Sequence, residues 1–218
     1  MTLSILLAHG SPDPRSGHAV RRTAEDLAER LGSPVVAAFL DYDGPDLAAS
    51  VAGTDGEVVV LPLLLSSAYH ARVDVPEAVA ALRRHVELLA PVGHPAAVLD
   101  TLLLRAGGRV VVVAAGTKVD EERAAFATAV VAASVRTGVP ATAAYATGPG
   151  PRLDDVGEVD VVMPWLLAPG RLLDTVRASA EALGRRVDGD GLLLEASLVD
   201  VLATRLTGRG APPVSSRL

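Results

Sequence analysis

The sequence predicts an α/β fold of two duplicated βα lobes, each with a parallel sheet flanked by helices, facing one another across a cleft. Three observations predict it. Short apolar runs alternate with segments whose apolar residues recur at helical spacing, the pattern of βα units. The runs are almost continuously apolar, as strands covered on both faces must be. The second half also repeats the first. Ala8-His9-Gly10 returns as Ala114-Ala115-Gly116, and Ala37-Ala38-Phe39 as Ala143-Ala144-Tyr145 at the same offset. Leu61-Pro62 returns as Met163-Pro164 after a small deletion, and Leu99-Asp100 with Leu102 as Val199-Asp200 with Leu202.

Taken in order, Ile5 to Leu7 is a buried strand that stops at Ala8 and empties into His9-Gly10-Ser11 and two prolines. Val20, Ala24, Leu27, Ala28 and Leu31 lie on one face of a helix closed by Gly32. Val35 to Leu40 is the second strand, ending at Asp41; Gly44-Pro45 turns into a short helix through Val51. Val58 to Leu65 is a central strand that ends in Ser66-Ser67-Ala68-Tyr69-His70. Pro76 opens a helix to Arg84, Val86 to Ala90 is a fourth strand, and Pro95 opens a helix to Arg105. Gly107-Gly108 resets the pattern. Strands follow at Val110–Ala115, Ala141–Ala146 and Val159–Leu167, with helices at Glu121–Arg136, from Gly170 to Leu183, and at Leu192–Leu206. The expected division is therefore a first lobe at 1–106, a second at 107–207, and a disordered tail at 208–218 rich in Pro and Ser.

Composition bounds the function. Half of the 218 residues are hydrophobic and only 3% aromatic, so Ala, Val and Leu fill the core. A net charge of -6 argues against a general nucleic-acid partner. The absence of cysteine removes disulfides, thiolate metal sites and a cysteine-bound iron–sulfur cluster. No apolar stretch reaches membrane-spanning length, and the first apolar run is too short for a signal peptide, so a cytoplasmic protein is expected, without a membrane partner.

The repeat separates scaffold from chemistry. Glycines, prolines and apolar strands recur, whereas His9 becomes Ala115 and the stretch after Pro164 holds no histidine. His9 ends the first strand and His70 lies just past the third; in a doubly wound sheet these ends open onto one crevice. Two imidazoles there suit a divalent first-row metal such as cobalt, iron or nickel, and Asp41 adds a carboxylate. A histidine bonded to its own loop, and an aspartate serving its own turn, are the alternative readings. Histidine and carboxylate do not select among the metals. His18, His85 and His94 read as surface residues, with His94 a third candidate ligand because it precedes a helix near the expected cleft.

HGSPDPR, FLDYDGPDL and LPLLLSSAYHARVDVP resemble the sirohydrochlorin chelatases, the class II enzymes that insert cobalt or iron into a tetrapyrrole. The resemblance extends over residues 3 to 206, with GPGP at Gly148–Pro151 and LLAPGRLLD at Leu166–Asp174 similar to the C-terminal half of long-form members. It implies a two-lobed lyase acting in sirohaem or cobalamin biosynthesis, with the metal as substrate and sirohydrochlorin as partner. The chain would be a monomer or weak homodimer. It implies that His9 and His70 bind the metal and act in catalysis, with Asp41 where many members carry an acidic residue, often Glu. Pro12 departs from the Arg that commonly follows HGS. The substrate's carboxylates call for cations, for which Arg15, Arg72, Lys118, Arg152 and Arg171 are candidates, and for donors such as Ser11, Ser66, Ser67 and Tyr69. A non-catalytic metal or tetrapyrrole carrier, or a homologue recruited to other metal-dependent chemistry, would use the same residues.

Overall fold

The computed structural model describes residues 2–66 and 70–208, with His70 and Ala71 described through their backbone only. Among the described residues there are two parallel sheets of four strands each. In the first, β1 (Thr2–Ala8) lies between β2 (Val35–Phe39) and β3 (Glu57–Pro62), and β4 (Glu87–Leu88) forms the edge. In the second, β5 (Val110–Ala114) lies between β6 (Ala141–Tyr145) and β7 (Val161–Trp165), with β8 (Arg186–Val187) at the edge. The helices are α1 (Pro14–Leu31), α2 (Leu47–Val51), α3 (Val75–Ala81), α4 (Ala96–Ala106), α5 (Asp120–Thr137), α6 (Arg171–Ala182) and α7 (Ala196–Thr207).

The repeat read from sequence is a repeat of register. Ala8 stands opposite Phe39 and Leu7 opposite Pro62; Ala114 stands opposite Tyr145 and Val113 opposite Pro164. Both central strands are buried on both faces, which is why they read as unbroken apolar runs. Ile5, Leu7, Ala38 and Val60 gather the core of the first sheet, and Val111, Val113, Val162 and Leu173 that of the second.

The division of the chain differs from the expected break at 106/107. One unit holds the residues up to Gly93 together with those from Val199; the other runs from His94 to Leu198. Helix α4, which follows the first sheet in sequence, therefore belongs to the second unit, and most of α7 to the first. A duplicated ion pair marks the exchange. Arg136 in the last turn of α5 meets Asp100 of α4 through two bonds of 2.8 Å, and Arg30 in the last turn of α1 meets Asp200 of α7 at 2.5 Å. Such exposed pairs are worth at most about 1 kcal/mol and act as markers of register more than as glue. Leu99, Leu102 and Leu103 supply the buried face of α4, and Leu198 and Leu202 that of α7. Helical periodicity shows that a helix has an apolar face, not which sheet receives it, so the exchange was illegible in the pattern.

Smaller departures have local causes. Helix α1 starts at Pro14, ahead of the expected Val20, because Asp13 accepts from the Arg15 amide as N-cap and proline suits the first helical turn. The third strand stops at Pro62, short of Leu65. The last apolar segment is a 3₁₀ turn at Leu192–Leu194 followed by α7, and β8 was not foreseen. Residues 209–218, most of the expected tail, lie outside the described residues. No helix among the described residues is long and apolar enough to cross a membrane.

Candidate functional site

In the first sheet the order β2-β1-β3-β4 puts the topological switch point between β1 and β3, where open α/β sheets take their ligands. His9 follows β1 there. The ladder with β2 continues past both strands: Leu40 N–H donates to Ala8 O at 3.0 Å and Asp41 N–H to His9 O at 2.8 Å. His9 and Asp41 are thus backbone neighbours at the carboxyl end of the sheet. Gly10 permits this approach. Its φ is +96°, and a Cβ there would stand 1.8 Å from Asp41 O. On the other side of β1, Leu63 N–H donates to Leu7 O at 2.8 Å, and the chain runs on to His70, which opens a π turn over His70–Asp74.

His9 is half-buried, with Nδ1 shut away from solvent, and is less exposed than a strand-end loop residue was expected to be. The Tyr42 ring stands edge-on to it, 6.1 Å between centroids. Asp41 is exposed, and its Oδ1 accepts from Tyr42 N–H at 2.8 Å, so it serves its own turn as well as facing solvent. Among the described residues no three His, Asp or Glu side chains gather to hold a metal. The His70 side chain, the second expected ligand, is not among the described ones, and Ser67 and Tyr69 also lie outside the described residues.

Two expected substrate contacts have other work. Ser11 Oγ accepts from Asp13 N–H at 3.1 Å, which forms the loop turn. Arg15 is clamped by the buried Asp13, Nε at 3.0 Å and Nη2 at 2.7 Å, so its charge is already met within the first turn of α1. Ser66 is half-buried after β3, and Arg72 is exposed in the π turn. Lys118, Arg152 and Arg171 are exposed, one beyond each of β5, β6 and β7 at the carboxyl end of the second sheet.

Sequence reasoning missed Asp43 and misjudged His94. Asp43 lies mostly buried between the loops after β1 and β2; nothing local announces it, because its partners come from α1 and the first loop. His18 and His85 are exposed, as expected, but His94 is not a surface residue. It is half-buried against Phe126 and Trp165, with ring centroids 5.1 and 6.1 Å away. The Trp165 indole N–H donates to His94 Nδ1 at 3.0 Å. Burial pushes the imidazole below its ordinary value, and the nearby buried Glu122 partly restores it. Trp165 closes β7 and His94 precedes α4, a juxtaposition that only the helix exchange creates.

A family model, CbiX, matches residues 3–107. The match spans just under half of the chain, from β1 to the end of α4. The matched residues include His9, Asp41 and His70, the loops at the carboxyl end of β1, β2 and β3. The fold of the whole chain is similar to SirB from Bacillus subtilis with Fe3+, at 17% identity and a TM-score of 0.76, covering 94% of each chain. It is also similar to a CbiX described as the terminal enzyme for biosynthesis of siroheme in denitrifying bacteria. There the identity is 19% and the TM-score 0.73, over 96% of this chain and all of that one. A third similar structure is the sirohydrochlorin chelatase SirB from Bacillus subtilis subspecies spizizenii in complex with cobalt, at 17% identity and a TM-score of 0.71. No curated protein matches the chain in sequence. These likenesses show that the chain has the two-sheet α/β fold of those structures.

Proposed function

We propose that the protein is a sirohydrochlorin chelatase, inserting cobalt or iron into the macrocycle in sirohaem or cobalamin biosynthesis. One observation carries the reading: within the residues that match CbiX, His9 and Asp41 are hydrogen-bonded neighbours at the carboxyl end of β1 and β2, beside the switch point with the strand that leads to His70. The names borne by the similar structures support it.

The reaction exchanges one divalent cation for two pyrrole protons. Neutral imidazoles of His9 and His70 hold the metal substrate at the face of the macrocycle, and thiolates, which would retain it, are absent from the chain. Asp41, exposed at the neighbouring strand end, accepts the two displaced protons in turn and passes each to water. Lys118, Arg152, Arg171, Arg72, Ser66, Ser67 and Tyr69 are the residues assigned to the carboxylates of sirohydrochlorin. Arg15 is a weaker candidate than the sequence suggested, because Asp13 already holds it. The proposal includes action in the cytoplasm as a monomer or weak homodimer.

The test is anaerobic incubation of the protein with sirohydrochlorin and Co2+ or Fe2+, followed by absorbance. Catalytic turnover is expected; a single stoichiometric binding event without accelerated insertion would point instead to a carrier.

A further inference from the structure

We propose that Asp43 is a positioning residue for metal insertion, holding the His9 loop against the Asp41 loop through its carboxylate. The inference rests on the chelatase reading above and goes beyond it by naming a residue outside the strand-end set.

The carboxylate joins three segments. Oδ2 accepts from Ser11 N–H at 3.3 Å, two residues beyond His9. Oδ1 accepts from Arg21 Nη2 of α1 at 3.1 Å. The backbone N–H of Asp43 donates to Asp41 O at 2.7 Å, the same carbonyl that Gly10 approaches. Displacement of Asp43 therefore acts on both sides of the pair formed by His9 and Asp41. Its side chain is only 13% exposed, so its end of these bonds is largely shielded from water, although Arg21 is 41% exposed.

The surroundings are built for this carboxylate. Gly17 is buried on the face of α1 that meets Asp43, and a Cβ there would stand 2.4 Å from Oδ1 and 2.8 Å from Cγ. A helix interior loses roughly 1 kcal/mol by carrying Gly in place of Ala, so the space is not free. Arg21 is itself held, donating to Gly44 O at 2.9 Å and lying 4.9 Å over the Phe39 ring. The second half braces its equivalent loop by another route. Arg123 stands where the repeat offset places Gly17, and its Nη1 donates directly to Thr117 O at 2.7 Å. The first half thus gives up a helix side chain to admit a carboxylate, and does so in the half that carries the histidines.

The experiment measures insertion rates against Co2+ concentration for wild type, Asp43→Ala, Asp43→Asn, Gly17→Ala and the Asp43→Ala/Gly17→Ala double. Melting temperatures and hydrogen exchange of the 9–13 segment accompany the rates. Asp43→Ala should raise KM for Co2+ about tenfold while kcat changes far less, as for partners that orient metal ligands. Asp43→Asn retains an acceptor for Ser11 and should shift KM less, in the same direction. Gly17→Ala should also raise KM, and the double should match Asp43→Ala, because removing the carboxylate removes the clash. Exchange in the 9–13 segment should quicken in every variant. If Asp43→Ala fails to fold, Asp43→Asn decides. A purely structural role would lower the melting temperature and leave the Co2+ KM unmoved, which would overturn the inference. Wild type that inserts no metal would overturn the chelatase reading and this inference together; wild type that inserts metal beside variants of unchanged KM would overturn this inference alone.

Discussion

The carboxyl ends of the two sheets have nearly the same backbone and different side chains. In each, an Ala–Xaa–Gly segment leaves the central strand, and the neighbouring strand continues the ladder for two more bonds. Leu40 to Ala8 and Asp41 to His9 in one sheet correspond to Ala146 to Ala114 and Thr147 to Ala115 in the other. Gly10 and Gly116 have φ of +96° and +101°, and a Cβ on either would meet a carbonyl at 1.8 or 1.9 Å. Phe39 N–H reaches Pro45 O, and Tyr145 N–H reaches Pro151 O, so even the next turn is shared. Upon this common frame one end carries His9 and Asp41, and the other Ala115 and Thr147, with Lys118, Arg152 and Arg171 in the loops beyond. The loop geometry therefore belongs to the fold, and the chemistry is decided by which side chains are placed on it.

The comparison breaks most sharply at the histidines. His9→Ala is expected to lower insertion by at least about 100-fold while the protein stays folded. His70→Ala should be severely impaired too, and on the proposal that both act on one metal the double mutant should be scarcely worse than the worse single. Initial rates with circular dichroism check this; a folded His9→Ala of near wild-type rate would remove the first sheet's claim to the metal.

The glycines sharpen it next. Gly10→Ala and Gly116→Ala each force a side chain into a left-handed conformation against a carbonyl. Each should cost about 2 kcal/mol, or roughly 5 °C in melting temperature. The stability losses should be alike, but only Gly10→Ala should also lower insertion beyond what lost folding explains. Equal activity in the two variants, once corrected for folded fraction, would show that the first loop has no special role.

A third prediction uses Trp165, the single tryptophan of the chain. Protonation of His94 at Nδ1 is incompatible with a donating indole N–H, so the folded state favours neutral imidazole. Unfolded imidazole titrates near about 6.5. The folded value is lower, so this stabilisation is complete above that pH, falls as pH drops toward the folded value, and is then exhausted. Trp165 fluorescence should titrate with a midpoint below the ordinary histidine range, and His94→Gln, which still accepts but does not titrate, should abolish the transition. Glu122 and the raised Tyr145 phenol face the same cluster. A transition surviving in His94→Gln would show that His94 is not its source.

The smallest effects are expected from Lys118→Gln, Arg152→Gln and Arg171→Gln. Each exposed cation removed should raise KM for the tetrapyrrole by a few-fold, corresponding to under about 1 kcal/mol, with the effect fading at high salt. The same substitution at Arg22, an exposed residue of α1, is the control; equal effects there would deny the second sheet any specific role toward carboxylates.

By itself the sequence determined the duplication, the parallel sheets, and the places of His9 and Asp41 at strand ends. These are encoded locally: apolar runs set the strands, and the residues that end a strand are fixed by adjacency along the chain. Only the tertiary structure decided the exchange of α4 and α7 between units, since an apolar helix face is compatible with either sheet. It alone committed Arg15 to Asp13, brought Asp43 between Ser11, Gly17 and Arg21, and buried His94 beneath Trp165. Each of these depends on where a side chain from another segment comes to rest, and a buried polar group acquires its role from the partners that satisfy it once water is excluded.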